Sequence, residues 1–202
     1  MDLDAVAARI EGLPEGRRIV ALAGPPGAGK STTSRELVAR LPSAAVLAMD
    51  GYHYDDRVLR ARGLLPRKGS PATFDVGGLA HMMDRLRAND DEEVAVPVFD
   101  RDIEVSRGSA FVISRDVRII LVEGNWLLLE RAPWDALRDR FDLTVWIDVP
   151  IEELERRLRR RWTRYGLKGE AMAAKMDGND LPNARDAMEN SVPADVTLSW
   201  VP

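Results

Sequence analysis

The chain has 202 residues, of which 45% are hydrophobic and 31% charged, and its formal net charge is −4. This composition is typical of one globular domain with a substantial core, and the net negative charge gives no reason to expect a nucleic acid or membrane partner. The absence of cysteine excludes disulfides, thiolate nucleophiles and zinc–thiolate sites. With no apolar run near 18 residues and an acidic N-terminus, we expect no transmembrane helix, no secretory signal and a cytoplasmic location.

Apolar runs suited to strands alternate along the chain with segments of helical spacing. The expected strands cover residues 18–23, 44–49, 94–99, 111–113, 117–122, 143–147 and 196–200, and the expected helices cover residues 4–13, 31–41, 76–88, 151–165, 169–176 and 183–190. Pro97 favours an edge position for its strand, and residues 52–73 show no sustained period. The alternation predicts a three-layer α/β fold, a mostly parallel five-stranded sheet with helices on both faces.

Residues 24–31, between the first strand and the first long helix, match the pattern G-x-x-x-x-G-K-[ST] of a phosphate-binding loop. Its glycines let backbone N–H groups turn toward phosphate oxygens, Lys30 can reach the β and γ phosphates, and the Ser31 hydroxyl can bind Mg²⁺. An ordinary glycine-rich turn would not require the strand before it and the helix after it. We therefore predict a nucleoside triphosphate and Mg²⁺ as ligands, with the choice between ATP and another triphosphate left open, and with loop contacts from Gly24, Pro25, Pro26, Gly27, Ala28, Gly29, Lys30, Ser31 and Thr32.

Two carboxylates follow predicted strands, where parallel sheets bind their ligands. Glu123 ends an apolar strand and is expected to complete the metal site with Ser31, the alternative being a carboxylate that caps the next turn. Asp50 is the best candidate for a general base that accepts a proton from an alcohol. The alternative is a simple turn carboxylate, because Asp50-Gly51 is also a turn signal.

The predicted helix 151–165 is rich in arginine, and Arg157, Arg161 and Arg164 recur at helical spacing on one face, with Arg160 as an alternative to Arg161. Such a face can fold over a triphosphate and stabilise the charge of the transferring phosphoryl group. Glutamates four residues earlier also predict a solvated helix with surface ion pairs. We expect both, with some arginines paired outward and two or three facing the nucleotide.

Several of these segments together resemble the uridine kinase, phosphoribulokinase and bacterial pantothenate kinase group. The segments are residues 24–31, 49–53, 97–100, 122–125 and the arginine helix. Within the group, the chain is similar to a branch of bacterial nucleoside or nucleotide kinase-like proteins, some named fructose transport system kinases or fructokinases. The phrases that carry this closer resemblance lie at residues 61–63, 67–69, 73–75, 98–102 and 178–184, and the likeness extends from about residue 18 to 200.

The resemblance implies a single P-loop kinase domain over residues 1–202, with an acceptor-binding insertion near 51–113 and a lid near 151–180. It implies transfer of the γ phosphate of ATP to a hydroxyl of a small molecule. Asp50, Lys30 and Arg161 would be catalytic, Arg157, Arg161 and Arg164 would be lid residues, and Asn183 would lie near the nucleotide base. The acceptor would be bound by Asp50, Tyr52, His53, Arg67, Asp100, Arg101 and Asn125.

One departure concerns the acceptor. Uridine kinases carry an F-D-H-P sequence whose Asp grips the sugar, whereas this chain has Lys68-Gly-Ser-Pro71 and no carboxylate there. This weakens the nucleoside prediction. Arg67 and Lys68 instead place positive charge near the acceptor, and Asp100, Arg101 and Asp102 add polar groups suited to a polyol or an anionic acceptor. A fructose-type sugar is compatible with the residues, and nucleoside- or pantothenate-like alcohols remain open.

A second functional class is a nucleotide-driven switch or chaperone that hydrolyses NTP to change partners. A guanine-specific switch would carry an N-K-x-D sequence, and none occurs. A switch also needs no acceptor pocket, whereas residues 50–102 have the polar composition of one. The kinase is therefore the favoured prediction, and the oligomeric state, a homodimer included, is left open.

Overall fold

The computed structural model describes residues 1–199, so Trp200 of the last predicted strand lies outside the described residues. In chain order the strands are β1 (Arg18–Ala23), β2 (Ala44–Ala48), β3 (Glu93–Asp100), β4 (Val105–Ser114), β5 (Ile119–Gly124), β6 (Leu143–Asp148) and β7 (Val196–Ser199). The helices are α1 (Leu3–Glu11), α2 (Lys30–Arg40), α3 (Asp56–Ala61), α4 (Val76–Ala88), α5 (Ile151–Arg164), α6 (Gly169–Lys175) and α7 (Leu181–Asn190). Short 3₁₀ helices cover Met49–Tyr52, Leu65–Arg67, Pro71–Thr73 and Trp134–Arg140, and a π-helical turn covers Met176–Asp180.

Within residues 1–199 the main sheet has five strands in the order β2-β5-β1-β6-β7, and every pairing in it is parallel. β1 is central because it pairs with β5 on one side and β6 on the other. β5 also pairs with β2, so the ends of β1, β5 and β2 lie side by side.

Both faces of this sheet are covered, as the predicted three-layer fold requires. Alternate residues of β1 enter different cores: Ile19 and Ala21 pack in one, and Val20 and Leu22 in the other. The first core is completed by α4 and the 3₁₀ helix Trp134–Arg140, and the second by α1, α2 and α5. A strand buried on both faces appears in sequence as a continuous apolar run, which is why β1 could be predicted at its observed bounds.

The segment without a predicted period contains α3, which the sequence pattern did not reveal. The helix has six residues, it buries only Leu59, and Asp55 caps its first turn by accepting from the Arg57 N–H at 2.8 Å. A helix this short has too few apolar positions to show a period, so its polar cap was its only sequence signal.

β3 and β4 form a separate antiparallel hairpin rather than joining the main sheet. Both strands are longer than predicted, and their register shifts between Val96 and Val98, where Pro97 lies. A proline cannot donate to the ladder, so a bulge in a two-stranded sheet accommodates it. Within the described residues, no helix is both long and apolar enough to cross a membrane.

A buried arginine connects the sheet to its surroundings. The Arg17 side chain, 7% exposed, donates to the carbonyl oxygens of Val117 at 2.7 Å, Leu86 at 3.2 Å, and Ser114 and Arg115 at 2.7 and 3.0 Å. These carbonyls terminate α4 and join β4 to β5, so one side chain holds three elements together.

We expect Arg17→Met to lower the free energy of unfolding by about 2–4 kcal/mol, because it leaves buried carbonyls without donors. Denaturant unfolding monitored by circular dichroism measures the change. Arg9→Met, on the exposed side of α1, is the control and should stay within about 0.5 kcal/mol of the parent. Equal effects of the two substitutions would contradict the role assigned to Arg17.

Candidate active site

A cleft of about 390 Å³ opens where β1, β2 and β5 end. Its floor is residues 26–32 and the end of β5, and one face of α5 lies over them. The turn between β3 and β4 lines one side of the cleft, and the π-helical turn Met176–Asp180 lines another. The cleft therefore lies at the edge of the sheet where the sequence predicted a ligand.

The lysine of the phosphate-binding loop donates hydrogen bonds to three oxygen atoms. Lys30 Nζ donates to the carbonyl oxygens of Gly24 at 2.9 Å and Pro25 at 3.0 Å, and to Asn125 Oδ1 at 2.6 Å. Burial lowers the pKa of Lys30 to about 8, although the nearby charges of Glu123 and Asp50 favour its protonated form. The loop is thus ordered around a buried amine at the first turn of α2, whose N–H groups are suited to bind an anion.

The arginine helix packs directly on this loop. Gly27 has φ of +84°, and a Cβ there would lie 3.1 Å from Leu158 Cγ, so glycine is required for α5 to approach. Arg157 Nη1 donates to the carbonyl oxygens of Gly27 at 3.3 Å and Ala28 at 3.1 Å, and its Nε pairs with Glu153 at 2.7 Å. One arginine of the helix therefore touches the loop backbone itself.

The oxygens predicted to hold a metal lie next to one another. Ser31 Oγ donates to Glu123 Oε1 at 3.0 Å. Burial and the neighbouring Asp50 raise the pKa of Glu123, against the opposing charge of Lys30. The structure describes, over residues 1–199, no group of three or more His, Cys, Asp or Glu residues that could hold a metal. A hydroxyl and one carboxylate suit Mg²⁺ that takes its remaining ligands from phosphate oxygens and water.

Asp50 lies in the 3₁₀ turn that follows β2. Its Oδ2 accepts from Arg101 Nη2 at 2.7 Å, and its carbonyl oxygen accepts from His53 Nδ1 at 2.8 Å. Burial disfavours the charged carboxylate, but the charges of Arg101, His53 and Lys30 outweigh burial and lower the pKa of Asp50. Asp50 is therefore ionised at neutral pH and can accept a proton.

The surroundings of Gly51 explain why a glycine follows Asp50. A Cβ on Gly51 would lie 2.6 Å from the Pro97 carbonyl oxygen, so the β3–β4 hairpin can approach only a glycine. The Ser106 hydroxyl of β4 also donates to the Gly51 carbonyl oxygen. The turn that carries Asp50 is thereby fixed against the hairpin that carries Arg101.

The side of the cleft beyond Asp50 combines aromatic and cationic groups. The His53 ring lies 4.0 Å from the ring centre of Phe74 and 4.7 Å from that of Phe99. Lys68 Nζ lies 5.4 Å from the Phe99 ring centre and pairs with Asp56 at 2.6 Å. Burial lowers the pKa of His53, although Asp50 favours its protonated form.

The arginines of α5 fall into two groups. Arg156 pairs with Glu153 at 2.6 Å and Arg159 with Glu155 at 2.8 Å, both on the exposed side. Arg157, Arg161 and Arg164 line the cleft. Burial and the charge of Arg101 lower the pKa of Arg161. Both sequence interpretations of this helix therefore describe part of it, and Arg161 rather than Arg160 faces the cleft.

The opposite end of the cleft is walled by buried amides. Asn183 Oδ1 accepts from Arg67 Nη2 at 3.1 Å, and Asn183 Nδ2 donates to Asn179 Oδ1 at 3.3 Å. Trp162 Nε1 donates to Asp180 Oδ2. This wall comes from the π-helical turn and the first turn of α7, and π turns of this kind recur at functional sites.

Most residues predicted for the site line the cleft. They are Pro26, Gly27, Gly29, Lys30, Ser31, Thr32, Asp50, His53, Arg101, Glu123, Asn125, Arg157, Arg161, Arg164 and Asn183. Gly24, Pro25 and Ala28 lie behind the loop, where the carbonyl oxygens of the first two hold Lys30 and Ala28 packs in the core.

Three predicted acceptor residues are not among the described residues that line the cleft. Tyr52 is buried in the core, and its hydroxyl has no hydrogen-bond partner within residues 1–199. Asp100 pairs with Arg107 at 3.3 Å. Arg67 lies behind the amide wall and bonds to Asn183 and to the Gly178 carbonyl oxygen.

Sequence analysis missed several lining residues. They are Phe74, Phe99, Glu104, Leu158, Trp162, Lys175, Asn179 and Asp180, whereas Lys68, whose charge was expected near the acceptor, does line the cleft. Asn179 and Asp180 stand in the family-like phrase 178–184, which could have indicated them beside Asn183. Phe74 and Phe99 are isolated aromatic residues in separate segments, and no local signal assigns them to one pocket.

Comparison with known proteins identifies a family and several relatives of the chain. The family described as AAA domain matches residues 19–178. The uncharacterized protein YggC of Escherichia coli (strain K12) is 35% identical over 191 residues, which are 92% of this chain and 78% of YggC. The crystal structure of the Silicibacter sp. TM1040 protein named "putative fructose transport system kinase" is 40% identical. It covers 98% of this chain and 99% of that one, with a TM-score of 0.91.

The pantothenate kinase of Rhodococcus erythropolis (strain PR4 / NBRC 100887) is 32% identical over 144 residues, 68% of this chain and 46% of that enzyme. The chain thus spans about half the length of the curated pantothenate kinases it matches. Together with the loop, the carboxylates and the arginine helix, these matches identify the class of protein. The chain belongs to the AAA domain family and is a P-loop kinase, a phosphotransferase similar to proteins named putative fructose transport system kinase, pantothenate kinase and putative uridine kinase.

Proposed function

We propose that this kinase transfers the γ phosphate of ATP to a hydroxyl of a small molecule. The acceptor is a sugar, fructose-like, or a nucleoside- or pantothenate-like alcohol. The observation that carries the proposal is that Lys30, the Ser31–Glu123 pair and the ionised Asp50 open onto one cleft. A protein that only hydrolysed nucleotide to change partners would not need a base with an enclosed pocket beside it.

In this proposal the phosphates bind along residues 26–32, with Lys30 and the N–H groups of α2 as donors. Ser31 and Glu123 would hold Mg²⁺, which when bound neutralises charge on the β and γ phosphate oxygens. The nucleotide base would extend toward Asn183. Arg157, Arg161 and Arg164 would lie along the phosphates and stabilise the charge that redistributes during transfer.

The acceptor would occupy the side of the cleft formed by Asp50, His53, Phe74, Phe99 and Arg101. Its oxygen forms a bond to the γ phosphorus while the bond from that phosphorus to the β–γ bridging oxygen breaks, and ADP leaves. The hydroxyl proton passes to Asp50. Its lowered pKa keeps the carboxylate ionised, so it has a free lone pair for the proton. The aromatic rings suit the apolar face of a sugar ring, and the charged groups suit its hydroxyls.

We also propose that residues 51–113 act as the acceptor-binding insertion and residues 151–180 as a lid within one kinase domain. The exposed position of α6 supports the second assignment, because a lid must leave its contacts to release product. ATP as the phosphate donor favours the cytoplasm as the place of the reaction. A panel of sugars, nucleosides and pantothenate, assayed for ADP release, tests the function: one acceptor should raise release many-fold, and hydrolysis unaffected by every acceptor would favour the switch.

We expect Lys30→Ala to reduce kcat at least about 100-fold, because the γ phosphate loses the cation that binds it. Coupled measurement of ADP release gives kcat, and calorimetry gives nucleotide affinity. The melting temperature is measured as well, because Lys30 is the buried first residue of α2 and lies outside the hydrophobic core, but it donates to three oxygens around the loop. Near-normal kcat together with normal nucleotide affinity would refute the phosphate-loop assignment.

Asp50→Asn should lower kcat by roughly 10²–10⁴-fold and leave nucleotide affinity nearly unchanged. The reason is that an amide cannot accept the acceptor's proton, whereas Asp50 makes its contribution only in the transition state. Steady-state kinetics with separately varied ATP and acceptor distinguish the two effects. If nucleotide affinity collapses while the transfer step survives, Asp50 is a metal-side or structural group instead.

Arg161→Ala should mainly lower kcat, by roughly 10–1,000-fold, because a cation facing the phosphoryl group acts on the transition state. Arg159→Ala is the matched control on the same helix, since Arg159 is 52% exposed and pairs outward with Glu155. The control should leave kcat unchanged, because Arg159 is not among the lining residues of the cleft. Its exposed pair contributes at most about 1 kcal/mol to stability. If both variants keep the kcat of the parent, the arginine face of this helix is only a solvated surface.

A further inference from the structure

We propose that residues 67–69 couple the two halves of the cleft, so that nucleotide binding orders the acceptor side, and that Arg67 is the positioning residue of this coupling. The proposal rests on the proposed function, because it takes the nucleotide to contact the wall formed by Asn179 and Asn183. It changes the role of Arg67 from a predicted acceptor contact to a link behind the cleft.

The first observation is a hydrogen-bonded connection between two segments far apart in the chain. Arg67 uses two nitrogens of its guanidinium, one on the Gly178 carbonyl oxygen and one on Asn183 Oδ1 at 3.1 Å. In the reverse direction, Asn179 Nδ2 donates to the Lys68 carbonyl oxygen at 2.9 Å. The planar fork of arginine fixes both distance and angle, so movement of one segment is transmitted to the other.

The second observation is that each segment lines a different half of the cleft. Lys68 and Gly69 face the side that holds Asp50, His53 and Phe99. Asn179 and Asn183 face the end farther along α5, beside Trp162. The bonds between the segments therefore join the proposed acceptor side to the proposed nucleotide side, with Arg67 outside the cleft lining.

The third observation is that the opposite side of the same loop is held by the rigid core. Trp126 Nε1 donates to the Gly69 carbonyl oxygen at 3.0 Å, and Trp134 Nε1 donates to the Pro71 carbonyl oxygen at 3.2 Å. Both indoles are buried in the first core. The two tryptophans hold one side of the loop 67–71 against the core. The other side of this loop is held by the π-helical turn, which is part of the proposed lid.

The π-helical turn is suited to respond to a ligand. Asn179 and Asp180 are buried polar residues in it, and burial raises the pKa of Asp180. A π turn leaves the regular helical hydrogen-bond ladder and is a marginal segment by itself. A nucleotide that contacts Asn179 or Asn183 would stabilise the turn, and through Arg67 the loop 67–69.

Hydrogen exchange with ADP and Mg²⁺ as the probe tests the coupling without knowledge of the acceptor. The amides of Arg67, Lys68, Ser70 and Thr73 are hydrogen-bonded within their own segment, so their exchange reports its opening. We expect ADP to slow exchange over residues 65–74 by roughly fivefold or more, the lower end of couplings between sites. Exchange over residues 24–32 should slow as well, as direct evidence of nucleotide binding.

Arg67→Met should abolish the slowing over residues 65–74 and retain it over residues 24–32. Arg67→Lys keeps the charge but cannot hold the Gly178 carbonyl oxygen and Asn183 Oδ1 with one planar fork, so it should weaken the slowing over the same residues, which keeps the test valid if Arg67→Met folds poorly. Arg57→Gln is the matched control, because this side chain of α3 is 90% exposed and pairs only with Asp55 among the described residues. It should behave as the parent.

The possible failures are distinguishable. Absence of ADP binding by calorimetry, with no slowing anywhere, would overturn the proposed function and this inference together. Slowing at residues 24–32 but not at 65–74 in the parent chain, or persistence of both in Arg67→Met, would overturn the coupling alone. With any acceptor that the panel identifies, Arg67→Met should raise its KM roughly 5–100-fold while kcat changes less. A purely structural role would instead change the melting temperature alone.

Discussion

The parallel insertion of β5 between β1 and β2 is the constraint on which the whole cleft depends. In the sheet register, Glu123 of β5 is paired with Leu22 of β1 and Ala48 of β2. The three strands therefore end at the same edge of the sheet. The phosphate loop leaves the first of these strands and Asp50 follows another. Because backbone hydrogen bonds set the strand spacing, Glu123, Asp50 and the phosphate loop are held side by side by the sheet and not by flexible loops.

Charge within the cleft is arranged by burial as much as by pairing. Lys30 is surrounded by oxygens, and desolvation still lowers its pKa. Asp50 is buried too, yet it keeps a lowered pKa because Arg101 lies at 2.7 Å. The cleft therefore contains charged groups that are held ready before a ligand arrives, which reduces the reorganisation that transfer requires.

The proposed acceptor side depends on contacts between segments that are distant in sequence. Gly51 allows the hairpin to approach, two buried tryptophans hold the loop 67–71, and Arg67 ties this loop to the π-helical turn. Each contact is a hydrogen bond or a steric fit between residues distant in sequence. Such contacts are individually modest, and together they define a pocket that none of the segments would form alone.

Much of the fold followed from sequence because its signals are local. The bounds of β1 and α4 were predicted as observed, since a doubly buried strand is a continuous apolar run and a capped amphipathic helix repeats its apolar residues. The phosphate loop was recognisable because its backbone geometry demands glycine at set spacing. The arginine face was predictable because helical spacing decides which side chains share a side.

Only the tertiary structure decided which polar residues face the cleft. Arg67 and Asp100 carry suitable side chains in the predicted insertion, yet neither lines the cleft, because Arg67 bonds to Asn183 and Asp100 pairs with Arg107. Phe74, two residues before α4, and Phe99 of the hairpin both pack against the His53 ring. They do so only because their two segments converge on His53 in the fold. A loop side chain has no period to fix its direction. Its orientation follows from whatever the fold brings beside it, and that information lies in contacts between distant segments rather than in the local sequence.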